Sequence, residues 1–125
     1  MKLREYSLTQ TSDDSGDSVD VFAEPIFGVL EAVAIVDGDL ADNFDITLTY
    51  VNSGIGTITL FAKANSTADA MFYPRELVNA TADGAALTGT AGGDRTKPVI
   101  AGYVTSTLAD GGDTKTGSVI LYVWE

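Results

Sequence analysis

Apolar and polar positions alternate with a period of two along much of this chain, most clearly in "FDITLTY" (44–50). Phe44, Ile46, Leu48 and Tyr50 fall on one side, and Asp45, Thr47 and Thr49 on the other. Successive side chains of a strand point to opposite faces, so this pattern predicts a half-buried strand. "GTITLFAKA" (56–64) repeats it, with Ile58, Leu60 and Ala62 expected inward and Thr57, Thr59 and Phe61 opposite. The residues "NSGI" between them are expected to close a hairpin.

The remaining segments read as further short strands. "KLREYSLTQ" (2–10) is a first strand or an arm, and "TSDDSGDS" (11–18) is an acidic loop. "VDVFAEPIFGVLEAVAIV" (19–36) is one long strand, or two broken near Pro25, because proline has no N–H to give to a ladder. Its β-branched residues, and the even spacing of Phe27, Val29, Val33 and Ile35, favour strand over helix. "AMFYPRELV" (70–78) is a strand interrupted by Pro74. "NATADGAALTGTAGGDRTKP" (79–98) is a surface loop with one helical turn at 84–88. "VIAGYVTSTL" (99–108) is expected to pair, through the loop "ADGGDTKTG" (109–117), with a terminal strand at 118–124.

Regular strand spacing and frequent turns define an all-β fold, a single-domain antiparallel β-sandwich of short strands with long surface loops. Residues 1–18 form an N-terminal strand or arm with its acidic loop, and 19–125 form the sandwich domain.

The terminal strand raises a question of cover. Val119, Leu121 and Val123 occupy one face and suit a core with Ile100, Val104 and Leu108. Ile120, Tyr122 and Trp124 occupy the other face, which is also apolar. Monomers seldom leave such a patch in water, so either the 79–98 loop covers it or another molecule does. In the second case Tyr122 and Trp124 are the aromatic anchors. "MFYPRE" (71–76) offers a second candidate surface in Phe72, Tyr73 and Arg75. Its alternative is an edge strand whose aromatics are core and whose Arg75 pairs with a nearby acid.

Composition narrows the chemistry. With no cysteine there is no disulfide framework and no thiolate nucleophile, and with no histidine the commonest general base is missing. Ser-His and Cys-His catalysis cannot be assembled within the chain, and no enzyme activity is expected. The net charge is −11, from 18 acidic and 7 basic residues, and residues 1–45 hold 11 of the acids and 2 of the bases. Such a field repels phosphate backbones and anionic membranes, so neither nucleic acid nor membrane is an expected partner. No signal-peptide h-region follows "MKLREYSLTQ", and "IFGVLEAVAIV" is too short to span a bilayer and is interrupted by Glu31.

The sharpest chemical motif is "DGDLADNFD", which places Asp37, Asp39, Asp42 and Asp45 within nine residues. Hard cations take six to eight oxygens, so this turn is a candidate calcium site and raises the alternative of a calcium-dependent carbohydrate-binding module. It departs from the EF-hand, since the twelfth position from Asp37 is Leu48. The plainer reading is an acidic turn that leads into a strand, with no metal and no cofactor. "GIGT" (54–57) and "GTAGGDRTK" (89–97) complete neither phosphate-cradling pattern.

Residues 44–125 resemble a group of small virion proteins of tailed bacteriophages. The matching pieces are the hairpin residues Asn52-Ser53-Gly54, the element Phe72-Tyr73-Pro74-Arg75, the loop Gly84-Ala85-Ala86-Leu87, and Gly111-Gly112-Asp113-Thr114-Lys115-Thr116-Gly117 followed by Tyr122-Val123. They occur in the same order, while the first 43 residues match less well. The resemblance implies a head decoration (cement) protein made in the host cytoplasm and carried on the capsid exterior. It further implies the major capsid protein as partner and a homo-oligomer, with a trimer favoured. A place elsewhere in the virion, in neck, tail or fibre, is the nearest alternative.

Overall fold

The structure, a computed structural model, describes residues 1–77 and 95–125. Its strands are β1 (Leu3–Thr11), β2 (Ser18–Val21), β3 (Ile26–Val36), β4 (Phe44–Asn52), β5 (Gly56–Ser66), β6 (Ala70–Phe72), β7 (Glu76–Leu77), β8 (Arg95–Thr96), β9 (Val99–Gly102), β10 (Val104–Ala109) and β11 (Thr116–Trp124). One antiparallel sheet runs β1-β11-β3-β6, with β9 also paired to β3, and a second runs β2-β10-β4-β5. β7 and β8 form a small separate pair. The fold is an all-β, antiparallel sandwich.

Alternation builds the core. Phe44, Ile46, Leu48 and Tyr50 of β4 are buried, as are Val104 and Leu108 of β10 and Val119, Leu121 and Val123 of β11. All belong to one cluster with Ile26, Leu30, Val33 and Ile35 of β3. Each such side chain contributes about 1.5–3 kcal/mol by leaving water.

Residues 2–10 take the strand form. β1 pairs with β11 along its whole length, from Leu3 opposite Trp124 to Thr11 opposite Thr116, and Tyr6 is buried in the core. The 19–36 segment is two strands, and the break near Pro25 sends β2 to the second sheet and β3 to the first. β6 and β7 lie on either side of Pro74. The helical turn expected at 84–88 lies outside the described residues.

Three expectations are corrected. Residues 99–108 are not one strand paired with the terminal strand. The chain crosses between sheets after Gly102, whose φ of 144° is open to glycine, and β10 pairs with β2 and β4. The 109–117 segment is therefore an arch between sheets rather than a hairpin, because β1 and β3 already occupy both edges of β11. Two other loops hold the arch: the Gly111 N–H donates to the Gly16 carbonyl at 2.8 Å, and the Ala41 N–H to the Gly111 carbonyl at 2.9 Å.

The other two corrections come from β-bulges, which insert one residue and reverse the parity of faces beyond it. In β3, Tyr122 faces Ala32 but Val123 faces Leu30, so Glu31 is the extra residue. Val33 and Ile35 point into the core, while Phe27 lies on the outside and is 63% exposed. In β5, Leu48 faces Phe61 but Thr49 faces Thr59, so Leu60 is extra. Phe61 turns toward the core and packs on Phe72 with ring centroids 5.2 Å apart, and Ala62 is exposed.

The sandwich has two unlike ends. Loops 12–17, 37–43 and 110–115 interlock at one. Chain segments 22–25, 52–55 and 102–103 gather at the other, where the Lys2 and Glu125 backbones exchange two hydrogen bonds of 2.8 Å.

Candidate functional site

The bulge in β3 throws Glu31 onto the outer face of the first sheet, where it becomes the centre of a polar cluster. Arg75 Nη2 lies 3.0 Å from Glu31 Oε2, and Arg75 Nη1 donates to the Glu31 carbonyl at 3.1 Å. Lys97 Nζ lies 3.1 Å from the same carboxylate oxygen, and the Trp124 indole N–H also hydrogen-bonds this side chain. The Lys97 hydrogen bond, with support from Arg75 and Trp124, holds the Glu31 carboxyl below its ordinary range. The three ion-pairing side chains are partly exposed, so these contacts orient the groups more than they stabilise the fold.

This arrangement answers part of the question of cover. Tyr122 and Trp124 stand on the outer face of β11, half-buried, and Ala32 opposite Tyr122 is only 4% exposed. Arg75 and Lys97, from the segments that flank β7 and β8, reach over β3 at the level of Trp124. The chain's own side chains thus supply part of the cover. Most of the 79–98 loop lies outside the described residues.

Of the five residues singled out in the sequence, the structure joins Arg75 and Trp124 through Glu31 and places Tyr122 on the same face. Tyr73, two residues before Arg75, is 62% exposed. Phe72 belongs elsewhere: opposite Val33 in the ladder, it packs against the core and Phe61. Glu31 and Lys97 were missed as members. The signal for Glu31 was its place as the lone acid within "IFGVLEAVAIV".

The aspartates serve the loops. Asp39 Oδ1 accepts from the Thr116 N–H at 2.6 Å, and Asp45 Oδ1 from the Asn65 N–H at 2.9 Å. Asp13 Oδ1 accepts from the N–H groups of Ser15 and Asp17, at 2.8 and 3.0 Å, which hold its carboxyl low. Asp69 Oδ1 accepts from the Asp37 N–H at 2.8 Å. The two carboxyls also share a hydrogen bond, which raises Asp37 and lowers Asp69. Among the described residues no three acidic side chains converge as metal ligands would. A cavity of about 180 Å³ beside Lys63, Ser66, Asp69 and Phe72 is smaller than the roughly 300 Å³ at which ligand pockets begin.

The outer face thus presents Tyr122 and Trp124 around an ion-pair cluster centred on Glu31. No protein-family model matches the chain, and no curated protein matches it in sequence. Among solved structures it is similar to the crystal structure of PirA, with a TM-score of 0.48 and 11% identity over 95% of this chain and 94% of that one. It is also similar to the structure of infectious bursal disease virus Gx strain, with a TM-score of 0.30 and 11% identity. That match covers 98% of this chain but only 38% of the viral one.

Proposed function

We propose that this chain is a virion structural protein of the head decoration type, which binds the outer surface of a phage capsid and forms a homo-oligomer there. The observation that carries the reading is the ordered set of motifs in residues 44–125. The side chain of Asn52 closes the β4–β5 turn by accepting from the N–H groups of Gly54 and Ile55 at 2.9 and 3.1 Å. Arg75 fixes the Glu31 cluster. Gly111 sits in the arch against Leu40 and Leu108, where a Cβ would approach each to 3.2 Å. These motif residues shape turns and a surface, which fits a protein whose work is done by its faces. Absence of histidine and cysteine from the sequence fits the same reading.

The test is to mix the purified chain with capsids assembled without it and sediment them. Saturable binding spread over the shell supports decoration. Binding confined to one vertex moves the protein to the neck or tail, and no binding to capsid or tail overturns the reading.

A further inference from the structure

A second irregularity in β5 builds a small polar cavity. Ser66 stands opposite Phe44 and Lys63 opposite Ile46, so Ala64 and Asn65 together face Asp45. Asn65 takes a left-handed φ of 55°, and its N–H donates to Asp45 Oδ1 at 2.9 Å. Residues three apart on a regular strand point to opposite faces, but the extra residue turns Lys63 and Ser66 to the same one. Both line the cavity of about 180 Å³, together with Asp69 and the ring of Phe72.

The polar groups of this cavity are unmatched within the chain. Ser66 is 6% exposed, and among the described residues its Oγ is the buried side-chain atom left without a hydrogen-bond partner. Native structures satisfy almost all such groups, so this hydroxyl calls for a partner from outside. Lys63 Nζ donates to the Ala64 carbonyl at 2.6 Å but forms no ion pair among the described residues. Asp69 is fixed by the Asp37 N–H on its Oδ1. An ammonium and a carboxylate thus line one cavity without meeting each other.

We propose that the cavity binds a small zwitterion, a free α-amino acid, with its carboxylate toward Lys63 and the Ser66 hydroxyl, its ammonium toward Asp69, and its side chain against Phe72. A simple carboxylate would set like charge against Asp69, and a simple amine would set like charge against Lys63. A molecule that carries both charges answers both groups, and its carboxylate accepts the unpaired Ser66 O–H in a charge-assisted hydrogen bond. The space is too small for a drug-sized ligand, yet it has room for several waters or one small solute.

The test uses the free chain, so its failure leaves the capsid reading untouched. Titration with L-valine, followed by the NMR shifts of backbone amides, is expected to give saturable changes confined to residues 63–72. Isovalerate and isobutylamine, which each keep one of valine's two charges, should bind at least about 10-fold more weakly. Lys63→Met and Asp69→Asn should lose a similar factor, and the asparagine still offers an oxygen to the Asp37 N–H. Ser66→Ala should lose it too, while without ligand it melts no lower than the unaltered chain, because no hydrogen bond is removed. Any of four results would overturn the proposal: no saturable change, changes centred outside 63–72, a half-molecule that binds as well as valine, or full affinity in Lys63→Met or Ser66→Ala.

Discussion

The hydroxyl of Tyr6 donates to the side-chain carboxylate of Glu125, tying the first strand to the residue that follows the last. Burial, then this hydrogen bond, pushes the phenol from its ordinary 10.0 up to about 12. A raised acid binds its proton more tightly in the folded state, so its contribution is complete below pH 10 and is lost as pH climbs toward 12. The full loss corresponds to about 2–3 kcal/mol. Urea denaturation at stepped alkaline pH should show this decline, and Tyr6→Phe should remove most of it. Parallel declines in both proteins would place the alkaline sensitivity elsewhere.

Gln10 and Ser106 form a buried polar pair between the sheets. Gln10 Nε2 donates to the Ser106 carbonyl at 3.0 Å, and Ser106 Oγ donates to Gln10 Oε1 at 2.6 Å. Both residues are almost wholly buried, so removing one leaves the other unsatisfied at a cost of about 1–3 kcal/mol. Gln10→Ala and Ser106→Ala should each lower stability by that order. Their combination should cost less than the sum, and a double-mutant cycle by chemical denaturation measures the difference.

Gly28 has no room for a methyl group. A Cβ there would stand 2.4 Å from the Trp124 carbonyl oxygen and 2.7 Å from a Val123 methyl. Gly28→Ala should destabilise by about 1–3 kcal/mol or more, since backbone of β11 would have to shift. Gly54→Ala, whose nearest neighbour is an Asn52 oxygen at 3.4 Å, should be close to neutral. Thermal melts of the two variants side by side give the comparison.

Trp124 is the only tryptophan, and its indole hydrogen-bonds Glu31, so its emission reports on that cluster. Glu31 is held low, so its favourable contacts are intact above the ordinary carboxyl range and are lost as pH falls through its depressed value. Acid titration should therefore shift the Trp124 emission. Glu31→Gln should show no such transition, with emission close to the acid form at every pH. An identical transition in the variant would assign it to another group.

How far the sequence discloses this fold depends on whether each feature is local. The inward set Phe44, Ile46, Leu48 and Tyr50 was legible because β4 keeps one parity throughout, and the break near Pro25 was legible because proline ends a ladder. The bulges at Glu31 and Leu60 were not, since an extra residue changes which side chains face inward without changing composition. Pairing was harder still. A strand, a Gly-rich loop and a second strand look alike whether the loop closes a hairpin or carries the chain between sheets. That choice was made by β1 and β3, far away in sequence, which take both edges of β11, while Gly16 and Ala41 hold Gly111 in the arch. At the site, Arg75 and Trp124 were visible as residue types suited to contact, but their shared partner became visible only once the bulge was known.

The pairing of β1 with β11 sets an order in time as well as in space. Thr9 meets Ser118 across 109 positions of sequence. A ribosome therefore releases β1 long before β11, its neighbour in the sheet, exists, and the closing of that long loop must precede any reward from the contact. Until residues 116–124 emerge, β3 also lacks the strand that separates it from β1, and the first sheet has no middle. The sandwich therefore cannot be completed from its N-terminus onward. Its first sheet is complete only once β11 stands between β1 and β3.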